Sequence, residues 1–395
     1  MKILVANLGS TSLKYRLFDF SGENPELLRR GGYERVTDYS AVIDDCLKDL
    51  REAGALRSDS DLDAVAFKTI MAKGVSGCVR IDETVLGAME AWSRIAPAHN
   101  PPYVEGIRVF SRKMPKTPLV ALFETAFYQW VPEAEARYAV PDDWYRLGVR
   151  RWGFHGASHK FIAERSAELL GRPDVAERTR TLYSGDKPGP VDGPTLRVIS
   201  CHLGGSSSVT GLRNGVAIGN SFGTSPQSGL PQNNRSGDLD PFALLHVMRE
   251  KKLSVEETER VLSTESGLKA LSGGDNDLRD IKTRADTGDA PAQTAIDVLV
   301  AQIRHWIGAF YLNLNGLDGL VFTAGIGENN PWLRRRICTG LDELGIVLDP
   351  SANEANLAAE GVVSAPETPV SIMIIPTNEE LVVAREAHRL LANPA

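Results

Sequence analysis

The fold is decided by the turn Asn7-Leu8-Gly9-Ser10-Thr11-Ser12, which separates an apolar run at residues 2–6 from a second strand-like run at residues 13–20. This pattern predicts a strand, a polar turn and another strand. The same order returns in mid-chain, where residues 197–201 lead into His202-Leu203-Gly204-Gly205-Ser206-Ser207-Ser208 and then into another strand-like run. The repeat predicts two related halves.

Strand-like and helix-like segments alternate along the chain, which predicts an α/β fold. Residues 39–56 and 292–315 carry apolar side chains at helical spacing. Asn214-Gly215 stands between two short strand-like runs and is typical of a tight hairpin turn.

The composition is that of a globular protein with a filled core. The chain has 395 residues, 42% hydrophobic and 24% charged, which favours two or three domains. It has no apolar run of about 18 residues and no secretory signal pattern, so we expect a cytoplasmic protein without a membrane span. The net charge of −7 argues against nucleic acid as a partner. The four cysteines are widely spaced, which predicts reduced thiols.

Gly/Ser turns between strands expose backbone N–H groups that suit phosphate oxygens. The first turn adds the Ser10 and Ser12 hydroxyls and the Lys14 cation, and the second turn adds three serines. One such turn alone is more often a plain hairpin. Two turns at matching places favour phosphate binding.

A third Gly-rich segment spans residues 321–331 and includes Gly325-Ile326-Gly327-Glu328-Asn329. It follows a predicted strand and precedes a basic helix with Arg334, Arg335 and Arg336, a setting that fits a nucleotide site. The sequence contains neither a P-loop nor a metalloprotease motif.

Several polar residues lie in Gly- or Pro-rich turns, where a backbone can approach a ligand closely. His155 and Arg235 are the strongest candidates of this kind, whereas His99 is as consistent with a structural role. Thr377 with Glu380 fits a capping box, so of Glu379 and Glu380 one is expected to cap a helix and the other to reach a metal.

Taken in order, these segments are similar to those of the acetate kinase family of carboxylate kinases, which shares its fold with actin, sugar kinases and Hsp70. The resemblance covers essentially the whole chain and rests on the combination of motifs. The matching motifs are Asn7-Leu8-Gly9-Ser10-Thr11-Ser12-Leu13-Lys14, His99-Asn100-Pro101-Pro102, Gly153-Phe154-His155-Gly156-Ala157-Ser158-His159, His202-Leu203-Gly204, Arg235-Ser236-Gly237-Asp238-Leu239-Asp240-Pro241, Glu265-Ser266-Gly267-Leu268, residues 322–329 and Ile375-Pro376-Thr377-Asn378-Glu379-Glu380-Leu381.

The resemblance implies two duplicated actin-like (ribonuclease H-like) ATPase domains around a central cleft. The first domain is expected to comprise residues 1–127 and 380–395, and the second residues 128–379. The implied reaction is reversible transfer of the ATP γ-phosphoryl group to acetate, giving acetyl phosphate and ADP. The implied metal is Mg²⁺, with Mn²⁺ as the alternative, and the implied assembly is a homodimer.

The resemblance also implies roles for individual residues. A carboxylate nucleophile carries no proton to remove at neutral pH, so cations and positioning matter more than a general base. Catalytic roles are implied for Glu124, His155 and Arg235, and metal placement for Asn7 and Glu379. Carboxylate binding is implied for Lys68, Ile70, Ala98, His99, Phe154 and Pro226. ATP binding is implied for Ser10, Ser12, Lys14, His202, Leu203, Gly204, Gly205, Ser206, Asp277, Leu278, Arg279, Gly325, Ile326, Gly327, Glu328 and Asn329.

Three departures from the family fall at functional positions. Lys68 replaces the arginine of a His-Arg-Val-Val-His-Gly-Gly run, which keeps the charge and loses the planar fork. Glu124 replaces the aspartate of a Phe-Asp-Thr-Ala-Phe-His run, in Phe123-Glu124-Thr125-Ala126-Phe127-Tyr128. The family's Asp-Thr-Ser-Met-Gly stretch is Gly219-Asn220-Ser221-Phe222-Gly223.

The acyl pocket departs as well, because members often carry valine and leucine where this chain has Ile70 and Ala98. Two alternatives to acetate kinase follow from these changes: a kinase for another short carboxylate, such as propionate or a larger acid, and a non-catalytic nucleotide-binding homologue. A working enzyme is favoured by the chemistry-bearing residues that remain, which are Asn7, Lys14, His155, Arg235 and Glu379.

Overall fold

The computed structural model describes residues 1–9, 11–97, 99–183 and 188–392. Its framework is two six-stranded sheets, one in each half of the chain. The first sheet contains β1 (Lys2–Gly9), β2 (Ser12–Asp19), β3 (Glu26–Glu34), β4 (Ala64–Thr69), β5 (Cys78–Arg80) and β6 (Leu119–Phe123). The second contains β7 (Arg197–Leu203), β8 (Ser207–Arg213), β9 (Val216–Asn220), β10 (Gly319–Thr323), β11 (Gly361–Val362) and β12 (Ser371–Ile374).

The two sheets have the same topology. The strand order is β3-β2-β1-β4-β6-β5 in the first sheet and, read in the matching direction, β9-β8-β7-β10-β12-β11 in the second. In each sheet the first three strands form an antiparallel meander, the next two central strands run parallel to the first, and the last edge strand is antiparallel. The duplication predicted from the sequence is therefore confirmed as two α/β halves.

Helices connect the strands and cover both faces of each sheet. In the first half they are α1 (Tyr39–Glu52), α2 (Glu83–Glu90) and α3 (Asn100–Lys113). Those that follow are α4 (Glu133–Ala136), α5 (Asp142–Arg146), α6 (Gly156–Leu169), α7 (Pro173–Arg180), α8 (Pro241–Lys251), α9 (Val255–Arg260), α10 (Gly267–Ser272), α11 (Leu278–Asp286), α12 (Ala290–Leu314), α13 (Ala324–Asn329), α14 (Pro331–Cys338), α15 (Pro350–Ala355) and α16 (Glu379–Ala392).

Both Gly/Ser hairpins are tighter than the sequence predicted. β1 pairs with β2 up to the last residue of β1, and β7 pairs with β8 in the same way. Asn7 and His202, expected in turns, therefore lie in strands opposite Lys14 and Ser208. The reason is that a short Gly/Ser connection closes an antiparallel ladder without interrupting its hydrogen bonds.

The last helix, α16, returns to the first sheet. Its residues Val382 and Val383 share an apolar cluster with Ile3 and Val5 of β1. On its other side α16 packs against α6 through buried charges, where the Nζ of Lys160 lies 2.5 Å from Glu164 and 3.4 Å from Glu386. A buried ammonium needs such partners, so this cluster ties the two halves together. The boundaries proposed for the two domains stay a prediction.

Two expectations about the chain as a whole can be compared with the structure. Among the described residues, none of the helices has both the length and the hydropathy required to cross a bilayer. The four cysteines are unpaired, as predicted, and Cys46, Cys201 and Cys338 are buried.

Candidate active site

Twelve of the 27 predicted site residues line one cavity of about 230 Å³. Ser10 and Ala98, which were also predicted, lie outside the described residues. The predicted residues that line the cavity are Asn7, Ser12, Lys14, Lys68, Ile70, His99, Glu124, Phe154, His155, Ser206, Pro226 and Arg235, and four unpredicted residues join them, Leu8, Gly9, Tyr103 and Phe222. Residues more than 200 positions apart in the sequence therefore converge on one cleft.

A buried ammonium group stands between two carboxylates in this cleft. Lys68 lies near the end of β4, and Glu124 directly follows β6, so the parallel pairing of these strands brings them together. The Nζ of Lys68 donates a hydrogen bond to Glu379 and lies 3.9 Å from the Oε1 of Glu124. All three side chains are less than 20% exposed.

Burial and charge act in opposite directions on these three groups. Burial raises the pKa of Glu124 to about 7, opposed by the charge of Lys68 and assisted by that of Glu379. Burial also acts to raise the pKa of Glu379, but Lys68 and His202 outweigh it and hold that pKa below its usual value. The pKa of Lys68 is raised despite burial, because Glu379 and Glu124 favour its cation. A fixed positive charge therefore faces the cavity.

His155 is held in an unusual backbone conformation at the start of α6. Its φ of 57° lies in the left-handed region, which is uncommon for a residue with a side chain. The ring stacks on that of His202, with centroids 4.0 Å apart, and meets the edge of Phe222. Burial, together with neighbouring His202 and His159, lowers the pKa of His155 well below its usual value. The imidazole is therefore neutral at pH 7.

Arg235 presents part of its guanidinium to the cavity. Its Nη1 donates to the carbonyl of Pro226 and the Oε1 of Gln232, both at 3.2 Å. Gln232 also accepts from Ser206 at 2.6 Å, so one amide fixes two predicted ligands. Since no described residue accepts from Nε or Nη2 of Arg235, these groups are free to bind an anion.

The two glutamates at the start of α16 do not have the predicted division of roles. Asn378 rather than a Thr377–Glu380 capping box serves the helix start, accepting a hydrogen bond from the N–H of Leu381 at 3.3 Å. Glu380 instead accepts from Asn7 at 2.9 Å and pairs with Arg16 at 3.2 Å. The capping-box prediction is wrong because Arg16 on β2 attracts the carboxylate of Glu380 away from the start of α16.

The metal predicted from the resemblance can be tested against the donors present. The Oδ1 of Asn7 is buried and has no hydrogen-bond partner, and the carboxylate of Glu379 lies in the same site. Oxygen donors of this kind suit Mg²⁺, which keeps several waters and binds phosphate oxygens. No group of three or more His, Cys, Asp or Glu side chains among the described residues forms a complete cage. The two residues therefore fit a partly hydrated cation shared with a phosphate.

The predicted nucleotide residues fall into three groups, of which the first, Ser12, Lys14 and Ser206, lines the cavity. β10 runs parallel to β7 with Thr323 beside His202, so α13 begins next to the Gly/Ser turn after β7. Buried Arg334 donates to the carbonyls of Gly327 and Glu328 at 2.8 Å and fixes this loop. Leu203, Gly204 and Ile326 line one small crevice there.

The remaining group, Asp277, Leu278 and Arg279, lies at the start of α11 and does not line the cavity. Asp277 caps the helix and pairs with Arg279, whose side chain is 84% exposed. Leu278 is buried in the core. Their ATP-binding role stays a prediction.

Comparison with known proteins identifies the family. The sequence model of the acetokinase family matches residues 30–186 and 190–385. Acetate kinase of Carboxydothermus hydrogenoformans is 36% identical over 100% of both chains, and that of Pseudothermotoga lettingae is 36% identical over 99% of this chain and 98% of its own.

This chain belongs to the acetokinase family.

Solved structures of the family agree in fold. The crystal structure of Porphyromonas gingivalis acetate kinase has a TM-score of 0.84 at 31% identity and covers 99% of each chain. That of a propionate kinase from Francisella tularensis has a TM-score of 0.83 at 29% identity, covering 98% of this chain and 99% of its own. This chain and these relatives therefore share the acetokinase fold and belong to the phosphotransferases that act on a carboxyl group.

Residues that the sequence reasoning missed also build this acetokinase site. Tyr103 lies one helical turn after His99 on α3, so helical spacing could have indicated it. Phe222 was noted only as a departure, yet its ring packs edge-on against Phe154 with centroids 5.4 Å apart. Gln232 had no sequence signal, because its role arises only when the loop folds around Arg235.

Gly267, part of the quoted Glu265-Ser266-Gly267-Leu268 motif, holds the Arg235 loop in place. Its φ is 66°, and a Cβ added there would lie 2.1 Å from the carbonyl oxygen of Gln232 and 2.6 Å from that of Arg235. We predict that Gly267→Ala lowers kcat by about 100-fold if Arg235 has its predicted catalytic role, because displacing a catalytic group by about 1 Å has that effect.

Gly273→Ala is the matched control. Gly273 also has a positive φ, 82°, but nothing lies within 4 Å of an added Cβ, so only backbone strain is introduced. Steady-state kinetics and circular dichroism of both variants make the comparison. Equal kcat values for the two variants would contradict the proposed bracing of Arg235.

Proposed function

We propose that the protein is an acetate kinase that reversibly transfers the γ-phosphoryl group of ATP to acetate with Mg²⁺ as the metal. The observation that carries the proposal is the convergence of Lys68, His155 and Arg235 on a cavity of about 230 Å³. The problem in this reaction is to bring two anions together, and a cluster of fixed donors answers it. The relatives named acetate kinase support the same conclusion.

Each donor has a distinct part in the proposed mechanism. The Lys68 ammonium attracts the carboxylate of the substrate and orients one oxygen for attack. The free Nε and Nη2 of Arg235 stabilise charge on the transferring phosphoryl group. Neutral His155 adds a hydrogen bond from its second ring nitrogen. No residue has to remove a proton, because the acid is already ionised at neutral pH.

Two carboxylates support these donors. Glu124, with both oxygens buried, keeps Lys68 charged and directed into the cleft. Asn7 and Glu379 would hold the proposed Mg²⁺, which would supply charge neutralisation for the phosphates. Because Lys68 contacts Glu379, substrate and metal positions are electrostatically linked in this chain.

The apolar wall sets the size of the acid. Ile70, Phe154, Phe222 and Pro226 line the cavity. The two aromatic rings are rigid and fully packed, which favours an acid with a very short chain. Propionate is the second candidate, supported by the structural similarity to a propionate kinase.

We also propose that the enzyme is a homodimer that associates through α8. Phe242 on this helix is 77% exposed and Leu245 is 41% exposed, and Leu239 before the helix is 52% exposed. Phe242 and Leu245 are three positions apart on α8 and so lie on one face of this helix. Exposed apolar side chains grouped on one face favour an interaction site. A second copy is the partner we favour, because two-fold pairing lets one patch cover its own image.

The first prediction from the proposed function concerns activity. Purified protein with MgATP, acetate and hydroxylamine is expected to form acetyl hydroxamate and ADP, and chelation of divalent metal is expected to stop it. Arg235→Ala should lower kcat by about 10³-fold, the scale expected for losing an arginine that stabilises a transferring phosphoryl group. Arg336→Ala, an exposed arginine paired with Asp297, is the control and should retain activity. Absence of hydroxamate with acids of two to four carbons would reject the carboxylate-kinase assignment.

The second prediction concerns chain length. Phe222→Ala opens the apolar wall, so kcat/KM for propionate and butyrate should rise relative to acetate by roughly fourfold per methylene, from about 0.8 kcal/mol for each buried CH₂. Phe242→Ala, a surface phenylalanine on α8, should leave the order of preference unchanged. An unaltered preference in Phe222→Ala would show that this ring does not limit the substrate.

The third prediction concerns assembly. Phe242→Asp places a charge in the proposed interface and should convert a dimer into a monomer in sedimentation velocity. Leu312→Asp on α12, at a side chain equally exposed at 77%, should remain dimeric. A monomeric wild-type protein would eliminate the proposed dimer.

A further inference from the structure

A chain of hydrogen bonds leads from His155 into the protein interior. The Nδ1 of His155 lies 2.8 Å from the Oγ of Ser208, and the same Oγ lies 2.8 Å from the Nε2 of His159. The Nδ1 of His159 in turn lies 2.8 Å from the Oγ of Ser200. Ser200, His159 and Ser208 are fully buried, so water does not interrupt the chain.

Each hydroxyl in this chain has one proton to donate, which limits the possible arrangements. In the first arrangement Ser200 donates to His159, His159 donates to Ser208, and Ser208 donates to the Nδ1 of His155. In the reverse arrangement the Nδ1 of His155 is the first donor and Ser200 is the last acceptor. Both arrangements keep the two imidazoles neutral.

The structure favours the first arrangement. In the reverse arrangement the O–H of Ser200 has no acceptor among the described residues, because its only hydrogen-bond partner is His159. In a third arrangement, where Ser208 accepts from both rings, the Ser208 proton is orphaned instead. A buried donor without a partner costs about 1–3 kcal/mol. Only the first arrangement gives an acceptor to the hydroxyl protons of both serines.

We propose that His159 and Ser208 are positioning residues that hold His155 as the neutral tautomer with its proton on Nε2. That nitrogen has no partner among the described residues, and the side chain lines the cavity. The proton is thereby directed toward an anion in the cleft without His155 becoming charged. The role of the donated hydrogen bond in phosphoryl transfer rests on the proposed function. The tautomer of His155 does not.

His159 does not touch the cavity, so its effect must pass through Ser208. Replacing it with leucine frees the Ser208 hydroxyl to turn and accept from Nδ1 of His155, which permits the other tautomer. Glutamine retains an N–H that can donate to Ser208 and an oxygen that can accept from Ser200. Both variants replace the His159 ring with another side chain, but only glutamine can keep the direction of the hydrogen bonds. A difference between the two variants therefore reports on that direction and not on the loss of the ring.

The experiment is ¹⁵N NMR of the full-length protein labelled at histidine, with His155 assigned by comparison with His155→Gln. The wild-type protein should show His155 with its proton on Nε2 alone. His159→Leu should show a second set of signals with the proton on Nδ1, and His159→Gln should not. Ser158→Ala, which removes the serine bound to His202, is the control and should leave the His155 signals in one tautomer.

Kinetics provides the second readout. His159→Leu should lower kcat by about tenfold, less than the roughly 100-fold expected for complete loss of a transition-state donor, while KM for ATP changes little. His159→Gln should restore kcat. A wild-type His155 that is protonated on Nδ1 or doubly protonated overturns the proposal, as does a single Nε2 tautomer in His159→Leu. These spectra remain decisive if the phosphotransfer assay fails, so the two proposals fail separately.

Discussion

The site depends on the close approach between the start of α6 and the turn that follows β6. A Cβ on Gly156 would lie 2.0 Å from the carbonyl oxygen of Glu124, so only glycine permits this contact. The contact fixes the left-handed His155 beside a turn of the first half of the chain. Glu124 and His155 are thereby brought to one cleft. Strain at His155 is tolerated because the surrounding packing determines the backbone on both sides.

Electrostatics then decides what the cleft can bind. Lys68 lies between Glu124 and Glu379, and neither carboxylate is compensated by solvent. Such a cluster is costly to bury unless its charges are paired, so it marks a functional site more than a source of stability. A carboxylate substrate adds another negative charge beside the ammonium. The lysine in place of arginine offers a compact charge that can be shared between Glu379 and substrate, rather than a planar fork committed to one partner.

The resemblance to the family predicted that Lys68 and Glu124 belong to one site. The structure supplies the reason, because the parallel pairing of β4 with β6 brings the ends of these strands together. The contacts made between elements far apart in the sequence were not predictable in this way. Glu380 was read as a helix cap from its spacing to Thr377, but Arg16 and Asn7 reach it from β2 and β1. Local spacing contains no information about a charge that arrives from another element. Gln232 was missed for the same reason.

Two of the departures from the family lie in direct contact with each other. Tyr128 and Asn220 both differ from the family motifs, and they bond to each other at 2.9 Å. Tyr128 donates to the carbonyl of Phe154 at 2.6 Å, and Asn220 accepts from the N–H of Phe222 at 2.8 Å. Phe154 and Phe222 are the residues whose rings line the cavity beside His155. The two side chains of Tyr128 and Asn220 thus satisfy part of each other's hydrogen-bonding capacity, and Thr210 is a further partner of both. Together they fix the backbone of the two phenylalanines that line the cavity.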